Sequence, residues 1–131
     1  NGNYMEPEVL PTEVNSAVYE FNAWVSPQED LLIFSSFGRE DSFGGGDLYY
    51  SKKDAQGKWS EAKNMGSVVN SSRLDYCPFV DLQRGIFFFT SDRILKNEQE
   101  LSLSNFLSQM EKPGNGLGDI YWISLKELNL N

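Results

Sequence analysis

The 131-residue sequence predicts an all-β chain made of two like units. Three observations carry that expectation: the chain aligns with itself, short strand patterns recur between turn residues, and two strand-length runs are apolar at every position. Shifting the chain by 55 positions sets 2–36 against 57–91, with nine identities in 35 pairs. Val14-Asn15-Ser16 falls on Val69-Asn70-Ser71, Glu20-Phe21 on Asp75-Tyr76, and Trp24-Val25 on Phe79-Val80. Leu31-Leu32-Ile33-Phe34-Ser35-Ser36 falls on Ile86-Phe87-Phe88-Phe89-Thr90-Ser91. Further on, Gly46-Asp47-Leu48-Tyr49-Tyr50 meets Gly118-Asp119-Ile120-Tyr121-Trp122 after a 17-residue insertion.

In the first unit the strand signals cover 21–26, 31–35, 47–52 and 58–63. Turn chemistry separates them: Pro27-Gln28-Glu29-Asp30, Phe43-Gly44-Gly45-Gly46 and Asp54-Ala55-Gln56-Gly57. The apolar runs 31–34 and 86–89 read as strands covered on both faces, as between stacked sheets. Four short strands in a repeat of this length describe a β-propeller blade. The expected layout is two four-stranded antiparallel blades, 14–66 and 67–131, with 1–13 matching an outer strand that completes a blade. A helical insertion occupies about 93–117, because Leu103, Phe106, Leu107 and Met110 fall on one helix face. Ser102 is placed to cap its start and Pro113-Gly114 to end it. The helix is expected to lie on the blade edge and cover apolar surface. A lid or docking helix is the alternative.

Ser26-Pro27 before the 31–36 strand, then Gly45-Gly46-Asp47-Leu48-Tyr49, then Gly57-Lys58-Trp59-Ser60-Glu61, occur in order. This series resembles the WD-like repeats of TolB-type propellers over nearly the whole chain outside the insertion. Gln28-Glu29 stands where that pattern has Asp-Gly. The resemblance implies an exported, periplasmic or secreted bacterial protein with interaction or cell-envelope roles. It implies no single activity, because a propeller is a scaffold for many.

Composition removes several function classes. Eleven Lys and Arg stand against 19 Asp and Glu, for a formal charge of −8, and the basic residues form no run. Neither nucleic acid nor an anionic membrane surface is expected as partner, since both need a basic footprint. No stretch is long and apolar enough to span a bilayer. With no histidine and a single cysteine, most zinc sites, a Ser-His-Asp triad and an internal disulfide are excluded. Cys77 lies in the apolar stretch Tyr76-Cys77-Pro78-Phe79-Val80 and is expected to be buried and inert. The chain begins with Asn1 rather than Met, so an upstream segment, with any targeting signal, is expected to have been removed or to lie outside it.

Residues able to carry chemistry mostly have structural readings. Asp47 and Asp119 precede like strands and are expected to accept backbone N–H bonds. The glycines at 44–46 could form an anion nest, but no P-loop sequence follows, and a flexible turn is the stronger reading. Ser51-Lys52-Lys53-Asp54-Ala55-Gln56-Gly57-Lys58-Trp59 resembles the Asp box of sialidase-type propellers, itself a structural turn. Glycoside hydrolysis typically needs two carboxyl groups at a set separation, and no pair is singled out by spacing. A glycan-processing, sialidase-like enzyme is therefore the alternative to a binding module. Asn70-Ser71-Ser72 fits the glycosylation sequon, yet its counterpart Asn15-Ser16-Ala17 does not, and both read as turn-formers.

The loop entering each unit and the loop between its second and third strands emerge on one rim. That rim carries 15–20, 36–46, 70–75 and 92–118, where binding residues tend to concentrate. Glu20, Arg39, Asp41, Asp75, Asp92 and Arg93 are the predicted contacts for a protein or glycan ligand. No catalytic residue, metal or cofactor is predicted. Two blades cannot close a ring, so further blades are expected from the same chain, as a longer propeller, or from other chains in a self-completing assembly.

Overall fold

The computed structural model describes residues 5–95, 102–128 and 130. The predicted turns divide the chain into strands β1 (Tyr19–Val25), β2 (Leu31–Phe37), β3 (Asp47–Lys52), β4 (Lys63–Asn64), β5 (Asp75–Asp81), β6 (Ile86–Ser91) and β7 (Asp119–Ser124). Helix α1 (Leu103–Met110) precedes β7, and a short 3-10 turn, Leu125–Glu127, follows it. The strands form two antiparallel meanders, ordered β1-β2-β3-β4 and β5-β6-β7. Among the described residues the fold is all-β with one short α-helix.

The 55-position offset seen in the sequence has a local counterpart in the backbone. β1 shifts register against β2 between Phe21 and Trp24, and β5 shifts against β6 between Tyr76 and Phe79. At each shift a residue takes the left-handed region, Asn22 at φ 48° and Cys77 at φ 52°. These are bulges at equivalent positions, and a bulge bends its strand and re-aims a side chain. The bulge at Cys77 corrects the expectation of a buried thiol: Cys77 is exposed. Its apolar neighbours gave no sign of the interrupted alternation. Glu29, where the resembled pattern has glycine, is also left-handed at φ 56°. Ser26 holds that turn, its Oγ donating to Asp30 Oδ1 at 2.7 Å and accepting from the Asp30 and Leu31 N–H groups.

Alternation along the strands sorts the core into two clusters. Ile33, Leu48 and Tyr50 of the first sheet pack with Val80, Phe87 and Phe89 of the second, with Val69 among them. On the other face of the first sheet, Leu32, Phe34 and Tyr49 pack with Val14 and Trp59. Burial at 31–34 thus matches a strand covered on both sides. At 86–89 it alternates: Phe87 and Phe89 are buried, whereas Ile86 and Phe88 are half-exposed. Among the described residues β6 is buried on one face and partly open on the other, which corrects the reading of that run.

Three further expectations change. The fourth strand, expected over 58–63, shrinks to Lys63–Asn64 plus an isolated bridge between Lys53 and Trp59. The Ser60 hydroxyl accepts the Lys52 N–H at 3.1 Å and so takes the place of a ladder carbonyl. The second sheet has three strands among the described residues, because the chain turns into the 3-10 segment after Ser124. Helix α1 starts as predicted, with Ser102 Oγ accepting from Asn105 N–H, but it buries none of its residues. Leu103, Phe106, Leu107 and Met110 stay exposed, so the helix does not act as a cover.

Candidate functional site

Four of the six predicted site residues form two matching constellations. Glu20 sits in β1 and Arg39 two residues beyond β2. Arg39 Nη2 donates to Glu20 Oε1 at 2.8 Å and to the Val14 carbonyl at 2.6 Å, while Nε donates to Ser36 Oγ at 2.9 Å. Its guanidinium lies over the rings of Phe34 and Tyr49, 5.5 and 4.9 Å from their centroids. In the second sheet Arg93 Nη2 donates to Asp75 Oδ1 at 2.9 Å and to the Val69 carbonyl, and Nε to Ser91 Oγ at 2.8 Å. It lies over Phe89 and Tyr121 at 5.2 and 4.8 Å. Only a planar fork of donors satisfies an acid, a carbonyl and a hydroxyl while stacking on two rings.

Each carboxylate also accepts from a serine, Glu20 on the oxygen that Arg39 holds and Asp75 on its other oxygen. Ser16 gives Glu20 its N–H at 3.1 Å and its hydroxyl at 2.5 Å. Ser71 gives Asp75 its N–H at 2.6 Å and its hydroxyl at 2.8 Å. The constellation ties the loop entering a sheet to the end of that sheet's second strand. It is a latch, and its acid and base are engaged with each other.

The other two predicted residues take no part in the two ion pairs. Asp41 is exposed and accepts the Tyr49 hydroxyl at 2.8 Å. Asp92 donates its N–H to the Leu74 carbonyl at 3.0 Å and lies near the Tyr76 phenol. Sequence reasoning missed the supporting members, Val14 and Val69, Ser36 and Ser91, Phe34 and Phe89. The signal was their recurrence: a residue that repeats in both units serves what both units share.

The remaining candidates keep structural roles. Asp47 Oδ2 accepts from the Phe43 N–H at 2.7 Å, and Asp119 Oδ2 from the Gly114 N–H at 2.6 Å, as predicted for both. The Gly44-Gly45-Gly46 turn lies against the chain rather than open to an anion. A Cβ at Gly44 would collide with the Ser72 backbone, and the Gly46 carbonyl accepts the Asp75 N–H at 2.8 Å. Asp54 Oδ1 accepts the Gln56 and Lys58 N–H groups, each at 2.9 Å, so the segment resembling an Asp box is a structural turn. Asn70 is buried and clamps Leu48: its Oδ1 accepts the Leu48 N–H at 2.8 Å and its Nδ2 donates to the Leu48 carbonyl at 2.9 Å. A glycan cannot reach it in the folded chain.

Two open depressions lie on the predicted rim. One, of about 400 Å³, runs between helix α1 and the segments around Ile94-Leu95 and Lys112-Pro113-Gly114-Asn115, with Phe106 and Met110 in its wall. The other, of about 530 Å³, lies over Val18, Gly38, Arg39, Glu40, Asp41 and Glu61, and so includes two predicted residues. The first sets Ile94, Leu95, Phe106 and Met110 beside Gln109, Lys112 and Asn115; the second mixes Val18 and Ala62 with Arg39 and the acids Glu40, Asp41 and Glu61. Among the described residues no helix is long and apolar enough to cross a membrane.

Four tyrosines of this framework have titration shifted by burial. Burial lifts the phenols of Tyr49, Tyr50, Tyr76 and Tyr121 above their ordinary value of 10.0. The unfolded chain therefore loses these protons first as pH rises. Their stabilising contribution is full below about pH 10 and declines above it. Alkaline titration followed by tyrosinate absorbance and circular dichroism should show a late group of phenols ionising together with unfolding. Ionisation of all six tyrosines near pH 10 with the fold intact would contradict this.

No family model, curated protein or solved structure matches the chain.

Proposed function

We propose that the chain is a two-blade segment of a TolB-like β-propeller and works as a non-catalytic binding or interaction module of the bacterial cell envelope, in the periplasm or outside the cell. The observation that carries this reading is the repetition of one framework, the same latch in two stacked meanders, beside loops that do not repeat. What is common to both units serves the scaffold. What differs, the insertion with α1 and its apolar groove, is free to recognise a partner. Glu20 and Asp75 are each bound by an arginine and a serine, which suits a framework better than a pair of reacting carboxyl groups.

The test is a panel of envelope glycans and envelope proteins presented to the intact chain, with Phe106→Asp as the comparison. Saturable binding that weakens about tenfold or more in the variant is expected, the usual loss when an aromatic anchor is removed. Hydrolysis of chromogenic glycosides, diminished in Glu20→Gln or Asp75→Asn, would instead favour the sialidase-like alternative.

A further inference from the structure

The repeat pairs residues of β1, β2 and β3 with residues of β5, β6 and β7, so their surroundings can be compared position by position. Leu48 and Tyr50 are 0% and 5% exposed, buried against the second sheet. Their counterparts Ile120 and Trp122 are 78% and 67% exposed. Trp24 is half-buried and packs on that same core, whereas its counterpart Phe79 is exposed. Phe79 and Trp122 flank Phe88 in register, which makes one continuous apolar row across β5, β6 and β7. Single apolar side chains on a surface are ordinary, whereas a contiguous row of them marks an interaction surface.

The opposite comparison identifies what fits there. Val80 is 6% exposed between the sheets, but its counterpart Val25, on the first sheet, is 48% exposed. Pro78 is buried where its counterpart Ala23 is exposed, and Met65 packs on the shared core where its counterpart Leu10 is exposed. The surface that the second sheet uses to dock on the first is therefore present again, partly uncovered, on the first sheet. The outer face of the first sheet offers the socket and the outer face of the second the plug.

We propose that copies of this chain associate head to tail, the Phe79-Ile120-Trp122 face of one docking on the Leu10-Ala23-Val25 surface of the next. The relation between the two copies repeats the one already present between the two sheets. It brings a backbone contact with it. Asn64 pairs with Tyr49 and Lys63 with Tyr50, and the same register sets Val9 of the second copy opposite Tyr121 and Glu8 opposite Trp122. Val9 and its neighbours are exposed and lie outside the strands, and among the described residues no strand pairs with β7 on the side away from β6. A free strand edge beside an exposed extended segment invites this pairing. Such a heterologous contact gives a ring if its rotation closes and a filament if it does not.

The docking rests on the stacking of like sheets that the proposed reading also assumes, and on no ligand. Sedimentation of the full chain should give a mass above the 14.9 kDa monomer, rising with concentration. Val25→Glu and Trp122→Glu should each be folded by circular dichroism and monomeric where the wild type is assembled. Mixed, they should form a one-to-one complex, because each retains the face the other lacks. Hydrogen exchange should slow at 8–10 and at 120–122 as concentration rises, a readout that needs no variant. A wild type that stays monomeric at high concentration overturns the proposal, as does a Val25→Glu variant that still self-associates. In either case ligand binding at the rim remains a separate measurement, so the two failures can be told apart.

Discussion

Arg93→Ala is expected to lower folding stability by about 3–5 kcal/mol, the loss seen when one partner of a buried ion pair is removed. The Asp75 side chain is fully buried, and its Oδ1 would keep no positive partner. The Val69 carbonyl and Ser91 hydroxyl would lose a donor in the same substitution. Since whole domains are stable by about 5–15 kcal/mol, this change alone endangers the fold. Arg39→Ala should cost less, about 1–2 kcal/mol, because Glu20 keeps some access to water. Arg93→Lys should not restore the loss, since an ammonium cannot bridge three acceptors in one plane. Denaturant midpoints of the three variants decide the matter. Equal losses for Arg39→Ala and Arg93→Ala would show that burial of the acid is not what sets the cost.

Phe87→Ala should be comparably damaging, about 3–5 kcal/mol, because it opens a cavity between the sheets. Phe87 is fully buried and stacks on Phe89, 5.5 Å between ring centroids. Trp122→Ala, one strand away on the opposite face, should change the stability of the dilute monomer by no more than about 0.5 kcal/mol. Two large aromatic residues in one small sheet thus differ several-fold in effect. Thermal or denaturant melts at low concentration measure the contrast. A large loss at Trp122 under those conditions would mean that the sheet faces have been assigned the wrong way round.

Much of the scaffold was legible because it is repeated. Recurring turns delimited β1, β2 and β3 to within two residues, and the helix start followed from one serine and four apolar positions. What escaped the sequence depended on relations that residue types do not express. Ser60 looked like part of a strand, yet its hydroxyl substitutes for a ladder group. Cys77 looked buried because its neighbours are apolar, but a left-handed residue breaks the alternation there. The run at 86–89 resembled a doubly covered strand, although among the described residues only the Phe87-Phe89 side is buried and Ile86 and Phe88 stay half-exposed. At the candidate site, charge and loop position drew attention to Glu20, Arg39, Asp75 and Arg93. Their pairing across 19 and 18 residues became apparent only when the strands were laid side by side.

The latches have a bearing on how such a chain could lengthen or shorten over time. Every member of the first lies between Val14 and Tyr49, and every member of the second between Val69 and Tyr121. Neither borrows a charge or a hydroxyl from the other. A duplicated or deleted stretch of one period would carry its own lock with it and leave no orphaned ion behind. Inheritance by whole modules is thereby electrostatically harmless, whereas a crossover inside a period would strand a buried carboxylate.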